Sequence, residues 1–344
     1  MDAQSLHQMM YGHIPAQILY ATAELGVADA LADGPLDCAD VAGRTATEVR
    51  TLRRLLRALV GLGVVEQFGA DRFGLTETGG LLRSDAPGSV RDDLLLSVTP
   101  ELWRAWGSLA RSVRDGRAPR DPATGLTAHQ AALRDPETAA RYRAAMARAG
   151  REFAAGIAEV YDFTRFGTLA DLGGDEGVLL AEILSANPGL KGVLHDVPES
   201  FDRVRATMEA AGTEDRCELA ARAPDEPPGR GADAYLLNHL LHDRDDDAAT
   251  ALLRGCRTAL AADAVLLVVE TVMPPVLTPG DSATYGMTDL NTMVHSGGRE
   301  RTAEEYRALL AAAGFALTAV TDVPTVGGLP SYSVIEAAPA ARPA

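Results

Sequence analysis

The chain has 344 residues, 47% of them hydrophobic and 23% charged, ordinary values for a soluble globular protein with core enough for one large or two modest domains. Acidic residues outnumber basic ones 48 to 32, and a formal charge of −16 repels phosphate backbones and anionic lipid, which argues against a nucleic-acid or membrane partner. Cys38, Cys217 and Cys256 lack a CxxC spacing, so no disulfide framework or cysteine zinc site is expected; with neither an apolar run of membrane length nor a basic-then-apolar leader, the expectation is a cytoplasmic enzyme.

The amino-terminal part reads as helical. Apolar residues recur at three- and four-residue spacing from Ile14 to Leu31, a short helix follows at Cys38–Gly43, and TATEVRTLRRLLRALVGLGVV predicts a third, with Leu52, Leu55, Leu56 and Leu59 on one face and Gly61 and Gly63 ending it. VVEQFGADRFGLT then alternates in two short runs around Gly-Ala-Asp, a hairpin signature. Three helices and a hairpin are the order of a winged helix, and in so acidic a chain it is expected to serve dimerisation, not DNA binding. Residues 88–150 continue as helices, with Trp103 and Trp106 on one face, a Gly/Pro/Asp-rich loop at 115–125, and a helix from Asp135-Pro136-Glu137 to about Val160.

From Gly167 the texture changes to strand–helix alternation. TLADLGG, GVLHDVP, ADAYLLNHLLHD and AVLLVVETVMP read as strands, separated by helices at GVLLAEILSANP, 200–212, 246–260 and 302–314. This predicts an α/β fold with a doubly wound parallel sheet. The expected division is 1–95 for dimerisation, 96–160 for helices lining a substrate cleft, 161–338 for the catalytic domain and 339–344 for a tail.

In such sheets ligands bind beyond the carboxyl ends of the strands, so the tips at 171–177, 195–199, 238–247 and 270–275 carry the chemistry. DLGGDEG at 171–177 is a glycine turn that lets backbone approach a ligand, and Asp196 ends the next strand where an acid can hold ribose hydroxyls. Together they point to a nucleoside-type pocket.

AELGVADAL, LRRLLRALVGLGVV and FGLTETGGLLRSDAPGSVRD in the first half, and ANPGLKGVLHDVP, RCEL, GADAYLLNHLLHDRDDD, LLVVETVMP and GGRERTAEEYRALLAAAGF in the second, resemble the small-molecule O-methyltransferases of bacteria and plants that use S-adenosylmethionine, particularly their antibiotic-tailoring branch. The resemblance spans nearly the whole chain. It implies a winged-helix domain that forms a swapped homodimer, and a Rossmann-like class I methyltransferase domain. It places a general base at His242, steadied by Glu270 and Glu300, and cofactor contacts at Asp171, Gly173, Gly174, Gly177, Asp196 and Asp243. Contacts to an aromatic or polyketide substrate fall on Trp103, His129, Met146, Asn291, Met293 and His295. An imidazole titrating near neutrality and oriented by carboxylates can take a phenolic proton as the oxygen attacks a methyl group. His242, Asp243 and His295 could also form a two-histidine, one-carboxylate set for ferrous iron, although no metal is expected.

Three positions depart from the family pattern. Asp175 replaces the glycine nearest the methionine part of the cofactor, Arg222-Ala223-Pro224-Asp225 stands where the family has G-D-F-F, and Arg244 stands where it has a tryptophan. A lost hydrogen bond costs about 1–3 kcal/mol and a buried carboxylate facing another costs several more, so S-adenosylmethionine is expected to bind poorly or not at all. Asp175 and Glu176 are expected to pair with Arg222 and Arg244 across the former pocket. The function expected from these losses is a tailoring enzyme turned from methyl transfer to acid/base-driven cyclisation or rearrangement at His242. The alternatives are an active O-methyltransferase with His242 as base, and a non-catalytic partner of an active relative.

Overall fold

The computed structural model describes residues 2–174, 176–223, 226–324 and 331–341, and the chain divides into two compact units, Met1–Arg104 and Ala105–Ala344.

In the first unit the predicted long helix is two. His13–Glu24 stops and Val27–Ala30 begins anew because Gly26, at φ +66°, takes a left-handed turn that a side chain resists. Cys38–Arg44 and Val49–Gly61 follow, the latter capped by the Glu48 carboxylate, which accepts from the Thr51 amide at 2.9 Å. Leu52, Leu56 and Leu59 form its buried stripe, packed with Val27, Leu31, Val41 and Phe73. Strands Val65–Phe68 and Arg72–Leu75 pair antiparallel about Gly69-Ala70-Asp71, and Leu36–Asp37 adds a third short strand. The winged-helix order read from the sequence is the observed one.

The second unit begins with helices, the longest being Pro136–Val160, started by Asp135 accepting from the Thr138 amide at 2.8 Å. Its sheet contains β1 (Thr168–Leu172), β2 (Lys191–Asp196), β3 (Cys217–Ala221), β4 (Ala234–Asn238), β5 (Val265–Met273), β6 (Phe315–Asp322) and β7 (Tyr332–Pro339), in the order β3-β2-β1-β4-β5-β7-β6. The first five are parallel. The expectation of a purely parallel sheet is corrected at one edge, where β7 runs antiparallel to β5 and β6 antiparallel to β7. Nine residues join these two strands, fewer than a parallel crossover needs, so they pair as neighbours of opposite sense. β1, β4 and β5 read as continuous apolar runs because both faces are covered by helices. Among the described residues no helix is long and apolar enough to cross a membrane.

Candidate active site

Strand order reverses between β1 and β4, and the tips of these strands with those of β2 and β5 gather the chemistry. After β1, Gly173 turns at φ +82° with its amide donating to the His195 carbonyl at 2.8 Å, and Gly177 opens the next helix at φ +74°. A Cβ on Gly174 would lie 2.4 Å from Asp171 Oδ2, so only glycine lets the turn close over that carboxylate. Asp171 is buried, and neither carboxylate oxygen has a hydrogen-bond partner among the described residues. Burial and then the neighbouring Asp196 push its pKa up to about 7. Asp196 Oδ1 accepts from the Val197 amide at 2.7 Å. A glycine cradle over an unpartnered buried carboxylate, with a second acid on the adjacent tip, suits a ribose-bearing ligand with a cationic end.

Of the ion pairing expected across this pocket, the part that falls on Asp175 lies outside the described residues, and the described residues give the following contacts. Glu176 lies 3.9 Å from Arg203, Arg222 Nη1 donates to the Glu226 carbonyl at 2.6 Å, and Arg244 donates to the Leu240 carbonyl of its own loop. Asp175, Pro224 and Asp225 lie outside the described residues. The Ala223 amide donates to the Glu226 carboxylate at 3.2 Å.

On the other side of the switch point, β4 ends at Asn238 and the chain turns through His239 at φ +53° to present His242. Glu270, in β5 and wholly buried, accepts from the amides of Leu241 (2.7 Å) and His242 (3.3 Å), which fixes the loop that carries the imidazole. His242 Nδ1 lies 3.2 Å from Glu300 Oε1 and 3.9 Å from Glu270 Oε2, while Nε2 lies 3.7 Å from Asp243 Oδ2. Glu300 is held in turn by the Thr292 hydroxyl at 3.2 Å, and its amide donates to Asp289 at 2.8 Å. Burial lowers the His242 pKa, but Glu270, Glu300 and Asp243 outweigh it and raise the imidazole to about 10. Burial raises the Asp243 carboxyl, yet His242 beside it leaves it below its ordinary value.

The predicted triad is therefore assembled, and the 298–301 segment assembles it. A Cβ on Gly298 would fall 1.8 Å from the His242 carbonyl oxygen, and the Arg299 amide donates to that oxygen at 2.8 Å. Arg301 is fully buried: it donates to the carbonyls of Leu241 and Arg244 at 2.9 Å each and to Asp246 at 2.8 and 3.0 Å. Sequence reasoning read GGRERT for Glu300 alone and missed Arg301 and Gly298, although both stand in that motif.

Of the predicted substrate residues, His129 and His295 stack at 4.9 Å, with Tyr142 at 5.3 and 6.2 Å from them. Burial lowers both imidazoles, His295 to about 4 with help from His129. Met293 is half-buried, Asn291 and Met146 are exposed, and Trp103, in the first unit, is exposed beside His13 at 6.5 Å. The set of potential metal ligands brought within 4.8 Å of one another among the described residues is His239, His242 and Glu270, in place of His242, Asp243 and His295.

Residues 106–316 match the O-methyltransferase domain family, and residues 7–85 match the O-methyltransferase dimerisation domain. The chain is 35% identical to a phenazine O-methyltransferase of Lysobacter antibioticus over 97% of its own length and 95% of the relative's. It is 35% identical to a mitomycin biosynthesis 6-O-methyltransferase of Streptomyces lavendulae, covering 90% and 88%. A solved structure of an O-methyltransferase from neocarzinostatin biosynthesis, in complex with S-adenosylmethionine and 2-hydroxy-5-methyl naphthoic acid, superposes with a TM-score of 0.81 at 30% identity, over 94% of this chain and 96% of that one. These relatives carry methyl-transfer names along the full length of the match, and this overturns the expectation of a tailoring enzyme repurposed to cyclisation or rearrangement. The Arg244 guanidinium is tied to the backbone of its own loop. A winged-helix unit matching the dimerisation domain, a sheet with its site at the β1/β4 reversal, and relatives of this identity place the chain in the O-methyltransferase family.

Proposed function

We propose that the chain transfers the methyl group of S-adenosylmethionine to a hydroxyl of an aromatic small molecule, acting as a homodimer built through its amino-terminal domain, with His242 as general base. The observation that carries this reading is the His242 imidazole held at Nδ1 by Glu300 and flanked by Glu270. With Nδ1 donating to Glu300, Nε2 accepts the proton of the acceptor hydroxyl in the molecules whose imidazole is neutral, a fraction that grows as pH rises toward about 10. The two buried carboxylates stabilise the imidazolium that forms, and the Glu270 bonds to the Leu241 and His242 amides keep the ring from drifting.

Asp171, Gly173, Gly174, Gly177 and Asp196 would hold the cofactor, with Asp243 at the base side. When bound, S-adenosylmethionine supplies an electrophilic methyl group on a sulfonium. One relative is named a phenazine O-methyltransferase and another is solved with 2-hydroxy-5-methyl naphthoic acid, and the stacked His129 and His295, electrostatically linked to Asp243, offer flat neutral surfaces for an aromatic acceptor. Calorimetric titration with S-adenosylmethionine and S-adenosylhomocysteine tests the reading. Micromolar binding of either supports it, and no heat or thermal shift at millimolar ligand sinks it.

A further inference from the structure

Three donors converge beside the base, and the mechanism above leaves the converging oxygen of Glu270 and the whole of His239 unused. His239 holds a left-handed backbone at φ +53°, rare outside glycine. Its ring is fixed by Phe153 at 5.4 Å and Tyr332 at 4.7 Å, and it meets the His242 ring edge-on at 5.2 Å and 87°. His239 Nε2, Glu270 Oε2 and Glu300 Oε2 are all buried without a hydrogen-bond partner among the described residues. Buried polar atoms are ordinarily paired, and a group left so asks for a ligand.

One nitrogen from each histidine and one Glu270 oxygen lie within 4.8 Å of one another. A shift of well under an ångström per donor brings all three to the about 2.0–2.2 Å of zinc–nitrogen and zinc–oxygen bonds. Two imidazoles and a carboxylate suit borderline divalent transition metals and not magnesium or calcium, which seek all-oxygen sites. The charge agrees, because the Glu270 and Glu300 carboxylates face a single imidazole. We propose that His239, His242 and Glu270 form a site for a divalent transition-metal ion of the zinc or cobalt type, and that the ion switches off proton abstraction by engaging the base. As the metal enters, any proton on the ligating nitrogen of His242 leaves to solvent, and no bond in the acceptor is made or broken. The inhibitory half rests on His242 serving as the base, whereas the binding half does not.

The test is a cobalt(II) titration of the full-length protein followed by visible d–d absorption, with methyl transfer measured in parallel before and after a chelator. The expected result is one equivalent of cobalt bound, loss of transfer, and recovery with chelator. His239→Asn, which tolerates the left-handed backbone, and His239→Phe, which keeps the aromatic stack, are each expected to weaken cobalt binding at least about tenfold, as removing a ligand should. Circular dichroism and the heat of S-adenosylmethionine binding should be unchanged in both. Absent d–d bands, or equal cobalt affinity in wild type and both variants, would overturn the proposal. The absorption reads binding whether or not the chain transfers methyl, so a failure of the proposed function is seen separately.

Discussion

Glu270→Gln isolates the electrostatics of the base. The glutamine keeps an oxygen for the Leu241 and His242 amides while the charge 3.9 Å from His242 Nδ1 is removed. Two unit charges at that separation interact by about 4 kcal/mol at an effective dielectric of about 20, which corresponds to about three pKa units. Burial and Glu300 push the Glu270 carboxyl up while His242 pulls it down, so the two groups titrate as a coupled pair and a shift of about two units, short of the full pairwise figure, is expected. The imidazole stands at about 10 in the native chain, so the limb of kcat/KM that rises with pH should move by that amount toward acid in the variant. The assay is the pH dependence of kcat/KM for an aromatic hydroxyl acceptor, paired with the histidine NMR titration of the protein without ligands. A limb that stays in place, or moves toward alkali, refutes the reasoning. Stability follows the same group. A histidine raised in the folded state contributes stability that is complete below its unfolded pKa and is lost as pH rises through about 10, so the variant should lose less stability than wild type on alkalinisation.

Gly298→Ala places a Cβ against a backbone oxygen that cannot move alone, so it should displace the 298–301 segment, lower kcat by about a hundredfold and lower the melting temperature as the Arg301 bonds loosen; a rate within threefold of wild type contradicts this. Asp171→Asn removes a carboxylate whose pKa is raised to about 7, a shift that destabilises the fold as pH rises from the unfolded value through 7. The variant should therefore gain up to about 4 kcal/mol by denaturation above pH 7 and little in acid, while S-adenosylmethionine binding weakens in calorimetry. Arg301→Leu removes a donor from the Leu241 and Arg244 carbonyls while Asp246 keeps Arg299 and solvent, and chemical denaturation should show a loss of about 2–3 kcal/mol.

The parts of this molecule that were legible in the sequence are those with a local cause. The 3.6-residue stripe at Leu52, Leu56 and Leu59, the Gly-Ala-Asp hairpin and the Asp135-Pro136 helix start all formed as read. The triad of His242, Glu270 and Glu300 was legible only through motif resemblance, because its members sit on three separate segments that the sheet alone brings together. β6 and β7 are not among the strands read from the sequence, since β6 is a largely exposed edge strand without a clean apolar alternation. His239 was passed over as one more residue in an apolar strand, when its left-handed backbone in fact ends β4 and aims His242. The misjudged function came from reading Arg244 and Ala223 as isolated losses. Whether a new arginine projects into a pocket or bonds its own loop depends on the turn geometry at Leu240, which no substitution pattern displays.

The most direct measurement follows an isotopically labelled methyl group from S-adenosylmethionine in wild type and His242→Gln, using a panel of hydroxylated aromatic acceptors. Label appearing on an acceptor oxygen with wild type, and falling by at least about a hundredfold with the variant, is the predicted result. Label that stays on the cofactor with every acceptor across the alkaline range, or transfer that proceeds equally in both proteins, would contradict the account.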